Sequence, residues 1–169
     1  RVLAQMDARS ADLSFLSSAD IASVRSLALD IGARHPGGQW DLPAMLSAAQ
    51  DRIAQGDFLN AMRWMGAAVA RSDASDQWAE YARLSVLIET QNASDKRRYA
   101  QQALEASANA YLRALNDPAR VNALLQMAGS LERVGRGRDM IPALRLAEQI
   151  QPREDVVSQL EGAIAKYGF

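Results

Sequence analysis

The sequence predicts an all-α fold made of stacked antiparallel helical hairpins, about eight helices in all. Three observations carry that prediction. Apolar residues recur at three- and four-residue spacing in segment after segment, and no alternating run suggests a strand. The segments are punctuated by capping residues, early prolines and terminal glycines. Similar second-of-pair segments return after about 40 residues, which is the period of a helical-hairpin repeat.

Residues 1–16 have mixed polarity and no clear period, and read as a partly helical lead-in. Residues 17–169 read as one helical domain. Ser17 caps the first clear helix, Asp20 completes a capping box, and Leu16 with Ile21 form a hydrophobic staple. Ile21, Val24, Leu27, Ala28 and Ile31 share one face, and His35-Pro36-Gly37-Gly38 ends it. Asp41 caps the second helix, where Pro43 is tolerated in the first turn. Gly56 stops it, and Asp57 starts the third at once, so these two helices should be antiparallel neighbours.

Ser75 or Asp76 begins a fourth helix with Trp78, Tyr81, Leu84 and Ile88 on its apolar side. Ser94 is expected to cap a long fifth helix running to about Asn116. Its buried stripe would include Ala100, Ala103, Leu104, Ser107, Ala108, Tyr111 and Leu115. Asp117-Pro118 then reads as a cap with proline at the first helical position. That sixth helix ends at Gly135 and Gly137. A seventh spans about Asp139–Gln151, and Pro152 opens the eighth, which carries Val156, Leu160, Ala163 and Tyr167. Gly66 and Gly129 lie inside helices, at about 1 kcal/mol each relative to alanine, which close helix crossings would explain.

Similar segments begin at Leu59, Arg98 and Asp139, with Ala61, Ala100 and Met140 inside them at the repeat spacing. Gly56-Asp57 with Ala61 and Ala68 resembles the second helix of a tetratricopeptide unit. The run from Leu124 to Pro152 is similar. The first-helix tryptophan and the glycine–tyrosine pair of that unit are missing, so the reading is a degenerate tetratricopeptide-like solenoid. One hairpin cannot cover both its faces, so hairpins stack.

Composition narrows the function classes. Nineteen basic and 20 acidic side chains leave a net charge of −1, interspersed along the chain. That balance gives no reason to expect nucleic acid as a partner. Cysteine is absent, which removes thiol nucleophiles, disulfides and cysteine-ligated metals. No run approaches the roughly 20 apolar residues of a membrane span, and residues 1–20 lack the apolar core of a signal peptide. The start at Arg1 suggests a piece of a longer protein.

The candidates for chemistry are few. His35 is the only histidine and reads as a surface residue ending a helix. Glu80 with Glu89, and Glu154 with Asp155, are weak acid–base pairs, and the second suits a helix N-terminus. Gly135-Arg136-Gly137-Arg138 looks like a phosphate cradle, but no strand precedes it and the P-loop lysine is missing. An interhelical turn is the simpler reading. Neither a cofactor nor a metal is expected, and the chain is expected not to be an enzyme. Trp64 falls off the main stripe of its helix, beside Arg71. It either packs on the next hairpin or, with Arg71, faces a partner groove.

Asp76-Gln77-Trp78-Ala79-Glu80-Tyr81-Ala82-Arg83-Leu84 resembles the N-terminal helical region of some bacterial alpha-2-macroglobulin family proteins. So do Ala110-Tyr111-Leu112-Arg113-Ala114 and the run from Gly135-Arg136-Gly137-Arg138-Asp139 through Ile141-Pro142-Ala143-Leu144-Arg145-Leu146-Ala147 to Pro152-Arg153-Glu154-Asp155. Lys166-Tyr167-Gly168-Phe169 resembles the passage into the first β-sandwich domains. The resemblance spans the chain from about Leu16 onward. It implies a periplasmic or cell-envelope protease trap in which this chain is an accessory, non-catalytic helical module. Partners would then be neighbouring domains or another envelope protein. The family's thioester needs a cysteine, so that reactive centre would lie elsewhere. The other reading is a free-standing tetratricopeptide-like adaptor, cytoplasmic, that binds a peptide or protein.

Overall fold

The computed structural model describes residues 2–168. Every regular element among them is helical: α1 Val2–Asp12, α2 Ser18–Arg34, α3 Leu42–Ala54, α4 Phe58–Ser72, α5 Ser75–Leu87, α6 Ala93–Arg113, α7 Asp117–Arg133, α8 Met140–Ile150 and α9 Glu154–Tyr167. A 3-10 turn, Gly137–Asp139, leads into α8. Successive helices from α3 to α9 pack against their chain neighbours, and α5 also meets α7. This is an all-α solenoid of stacked hairpins.

Several starts form as the capping rules demand. Ser17 accepts from the Asp20 amide while Asp20 accepts from the Ser17 amide, a closed capping box. Asp41 and Asp57 cap α3 and α4 through the amides of Ala44 and Asn60. Two expected caps move by one or two residues. Asn92, rather than Ser94, accepts from the first amides of α6, and Asn116, rather than Asp117, caps α7. Asparagine caps as well as serine or aspartate, so the neighbour with the right backbone wins.

The two turns at Gly56 and Gly135 are alike, and they sit about two repeat periods apart. Both glycines have positive φ, 73° and 82°. In each, the amide just after the glycine reaches back to a carbonyl of the preceding helix: Asp57 to Arg52 and Arg136 to Leu131. The α3–α4 and α7–α8 hairpins therefore turn by the same device.

Residues 1–16 are more than a lead-in. They supply the helix α1, one more than the expected eight, and Leu13 and Leu16 lie in the same core as the repeats. Arg9 donates to the carbonyls of Tyr111, Leu112 and Ala114. A cation there completes the negative end of α6. The Tyr111 hydroxyl in turn donates to Asp12 at 2.9 Å.

The alanines explain the packing. Ala61, Ala68, Ala103, Ala106, Ala108 and Ala147 are buried in the second-of-pair helices α4, α6 and α8. Small side chains let α2 lie across α4 and α6 and still bury Val24, Leu27 and Ile31. Asn109 of α6 is buried and donates to the Val24 carbonyl of α2 at 3.0 Å. Arg136, in the α7–α8 turn, pairs with Asp20 at the start of α2. The N-terminal helices thus cover the face made by α4 and α6.

One stripe residue is misplaced by the sequence reading. Leu115 was expected on the buried side of the fifth predicted helix, yet it is 94% exposed. The helix ends at Arg113, and Ala114 adopts an extended conformation that turns the chain outward. Among the described residues, no helix is long and apolar enough to cross a membrane.

Candidate functional site

Trp64 and Arg71 share the α4 side that meets the α2–α3 loop. The Trp64 ring lies 4.6 Å from that of Trp40, and Arg71 donates to the Gly38 carbonyl at 2.8 Å. The loop itself therefore occupies both residues. Trp64 is half-buried, while Trp40 remains 49% exposed. The sequence reading missed Trp40, because a loop position carries no periodicity to mark it.

His35 is also more than a surface helix end. Its Nε2 lies 2.8 Å from the hydroxyl of Tyr81, a fully buried residue, and the rings meet edge-on. Burial, with Arg34 and Arg63 nearby, pulls its pKa down to about 4. Burial raises the Tyr81 phenol. The ring also explains Gly66, since a Cβ there would lie 2.3 Å from the imidazole and 3.0 Å from Tyr81. Gly129 differs: a Cβ there meets nothing within 4 Å, so close crossing does not account for it.

The Gly135–Arg138 turn is closed as an anion site. Arg136 is spent on Asp20, Asp139 and the Phe15 carbonyl. A Cβ on Gly137 would strike the Tyr167 ring at 2.2 Å, so this glycine is there to admit that ring. Among the described residues no group of three or more His, Cys, Asp or Glu side chains is placed to hold a metal ion.

A concavity of about 900 Å³ lies between α5 and α7. Ala79, Ala119 and Leu125 line it, with the exposed Leu115 at its rim. Gln126 fixes its floor by donating to the Ala79 carbonyl at 2.9 Å. The charged rim is acidic in balance: Asp73, Asp76, Glu80 and Asp155 against Arg113 and Arg153.

One wall is firmly built. Trp78 is fully buried and donates its indole N–H to Asp73 at 2.9 Å. Asp73 sits at φ 51° in the left-handed region that aspartate tolerates. Arg113 joins the same carboxylate at 2.7 Å and lies over the Trp78 ring at 5.4 Å. Arg153 closes the far end, donating to Asn122 at 2.9 Å and pairing with Asp155. The groove therefore has an apolar floor, fixed side walls and an acidic edge.

Sequence reasoning placed Trp78 and Leu115 on buried stripes but did not bring Leu115, Leu125 and Ala119 together in one groove. These residues share a face only once α5 and α7 come side by side. The chain matches no family model, no curated protein and no solved structure.

Proposed function

We propose that this chain is a non-catalytic interaction module whose α5–α7 groove holds a segment of a partner protein. One observation supports the reading above the others. The α4–α6 face is covered by the chain's own N-terminal helices, whereas the α5–α7 groove stays open, apolar at its floor and rimmed by Leu115. An uncovered apolar concavity bounded by charges is what a docking segment needs. The acidic rim favours a segment with apolar anchors and basic flanks.

The resemblance to the alpha-2-macroglobulin family makes the parent an envelope protease trap and the partner a neighbouring domain or envelope protein. A free-standing adaptor would use the same groove. The reading frame beyond Phe169 separates these two: a long β-rich continuation supports the trap, and a stop codon directly after Phe169 supports the adaptor.

The groove itself is tested by peptide display against the full chain and against Leu125→Glu. Wild type should enrich apolar peptides with lysine or arginine flanks, and the variant should lose them. Equal enrichment by both would place the binding elsewhere.

A further inference from the structure

A second concavity, of about 640 Å³, lies where α2, α4 and α6 meet, away from the groove. Its volume is that of a small-molecule site. Unlike the groove, it is lined chiefly by polar groups. Three guanidinium side chains border it, one from each helix: Arg34, Arg63 and Arg98. Against them stands one carboxylate, Glu105.

The cations are lightly held. Arg34 pairs with Asp30 and Arg98 with Asp95 through exposed contacts within one helix, at 3.1 and 3.2 Å. Such pairs contribute little and exchange readily for a better partner. Arg63 donates to Asn60 at 3.4 Å and helps to lower the Asp57 carboxyl, but forms no ion pair among the described residues. Arg34 and Arg63 border the same cavity from different helices, and both act electrostatically on His35 at its edge.

Glu105 is half-buried on α6, and Gln101 donates to one of its oxygens at 3.0 Å. Burial raises its carboxyl above the ordinary range, and Arg34 acts against that rise. The hydroxyls of Ser23, Ser26 and Tyr99 border the same space.

We propose that this pocket binds a small organic acid that also carries a hydroxyl or ammonium donor. The arginines recognise its carboxylate, a planar group that a guanidinium grips through two parallel hydrogen bonds. The hydroxyl or ammonium donates to Glu105, which would otherwise repel a plain anion. Hydroxy acids and amino acids share this chemistry, and separate probes distinguish them.

The test is calorimetric titration of the full chain with gluconate, with glutamate, with glutarate and with inorganic phosphate. Gluconate or glutamate should show one saturable site, and whichever binds identifies the donor as hydroxyl or ammonium. Glutarate, which lacks a donor, should bind at least about tenfold more weakly, as should phosphate. Arg63→Gln and Arg34→Gln, both at exposed positions and checked by melting, should each weaken the site about tenfold or more. Glu105→Gln should reverse the preference, strengthening glutarate and weakening gluconate or glutamate. Leu125→Glu should leave this binding unchanged, so failure of the groove reading and failure of this one are told apart. No binding by either donor-bearing acid, equal binding by phosphate, or wild-type binding by Arg63→Gln would overturn the proposal.

Discussion

The two sides of the helix stack are made from the same hairpins and yet differ in kind. On the α4–α6 side, alanines let α2 settle across the helices, and a buried Asn109 ties it down by a backbone hydrogen bond. On the α5–α7 side, Leu115 and Leu125 leave a groove that the chain does not fill. The balance of charge differs as well, acidic around the groove and basic around the α2–α4–α6 pocket. Small side chains let α2 cover one face apart from the polar pocket at the α2–α4–α6 junction, and an early helix end that throws Leu115 outward opens the other. Side-chain size at the crossings decides which surface is core and which is available.

The sharpest way to break that contrast is to enlarge a closed crossing. Ala61, Ala100 and Ala147 are at most 4% exposed. Ala→Leu at Ala61 or Ala147 inserts three heavy atoms into a packed interior, which should cost about 1–3 kcal/mol in a urea melt, whereas Ala100 borders a cavity of about 580 Å³ that can take up part of the larger side chain. A wild-type midpoint for Ala61→Leu would mean that the crossing is loose.

The His35–Tyr81 contact gives a pH signature to the closed side. The folded imidazole has its pKa near 4, against 6.5 for the free side chain. Between those values the unfolded chain binds a proton that the folded chain refuses. This contribution is fully present above about pH 6.5 and is lost as pH falls from there towards 4. Glu105, raised by burial, acts with the opposite sign, so the clean comparison is wild type against His35→Gln. The variant should show a flatter dependence of stability on pH across that window. Identical slopes would contradict the burial of His35.

The internal glycines sharpen the same comparison. Gly66→Ala should destabilise, because the new methyl would press on the His35 ring. Gly129→Ala, with open space around it, should stabilise by about 0.5–1 kcal/mol through helix propensity alone. Thermal melts of the two variants should move in opposite directions.

These glycines also show what the sequence could and could not say. The fold was legible, because helical periods and caps such as Ser17, Asp41 and Asp57 are local signals. The cost of an internal glycine was legible too. Its reason was not, since Gly66 answers to a histidine 31 positions earlier and Gly129 answers to nothing nearby. The groove was hidden for the same reason, being a product of two helices brought side by side. The sequence leaves Trp64 and Arg71 between packing and a partner groove. Only the fold shows that Trp40 and Gly38 take them up.

The smallest effect is expected in the groove. Ala119 lines it and is half-buried. Ala119→Leu should change stability by no more than about 0.5 kcal/mol, because the added atoms project into open space. A loss comparable with that of Ala61→Leu would mean that the groove is as tightly packed as the opposite face.

The difference between a closed and an open side is tested most directly by native-state hydrogen exchange. The account predicts that amides of α2 between Val24 and Ile31 exchange only with those of α4 and α6, at the free energy of global unfolding. Those of Leu115, Asn116, Asp117 and Ala119 at the groove rim should exchange far sooner. If α2 opens well before α4 and α6, it is a loosely laid strap rather than core, and the contrast drawn between the two faces is wrong.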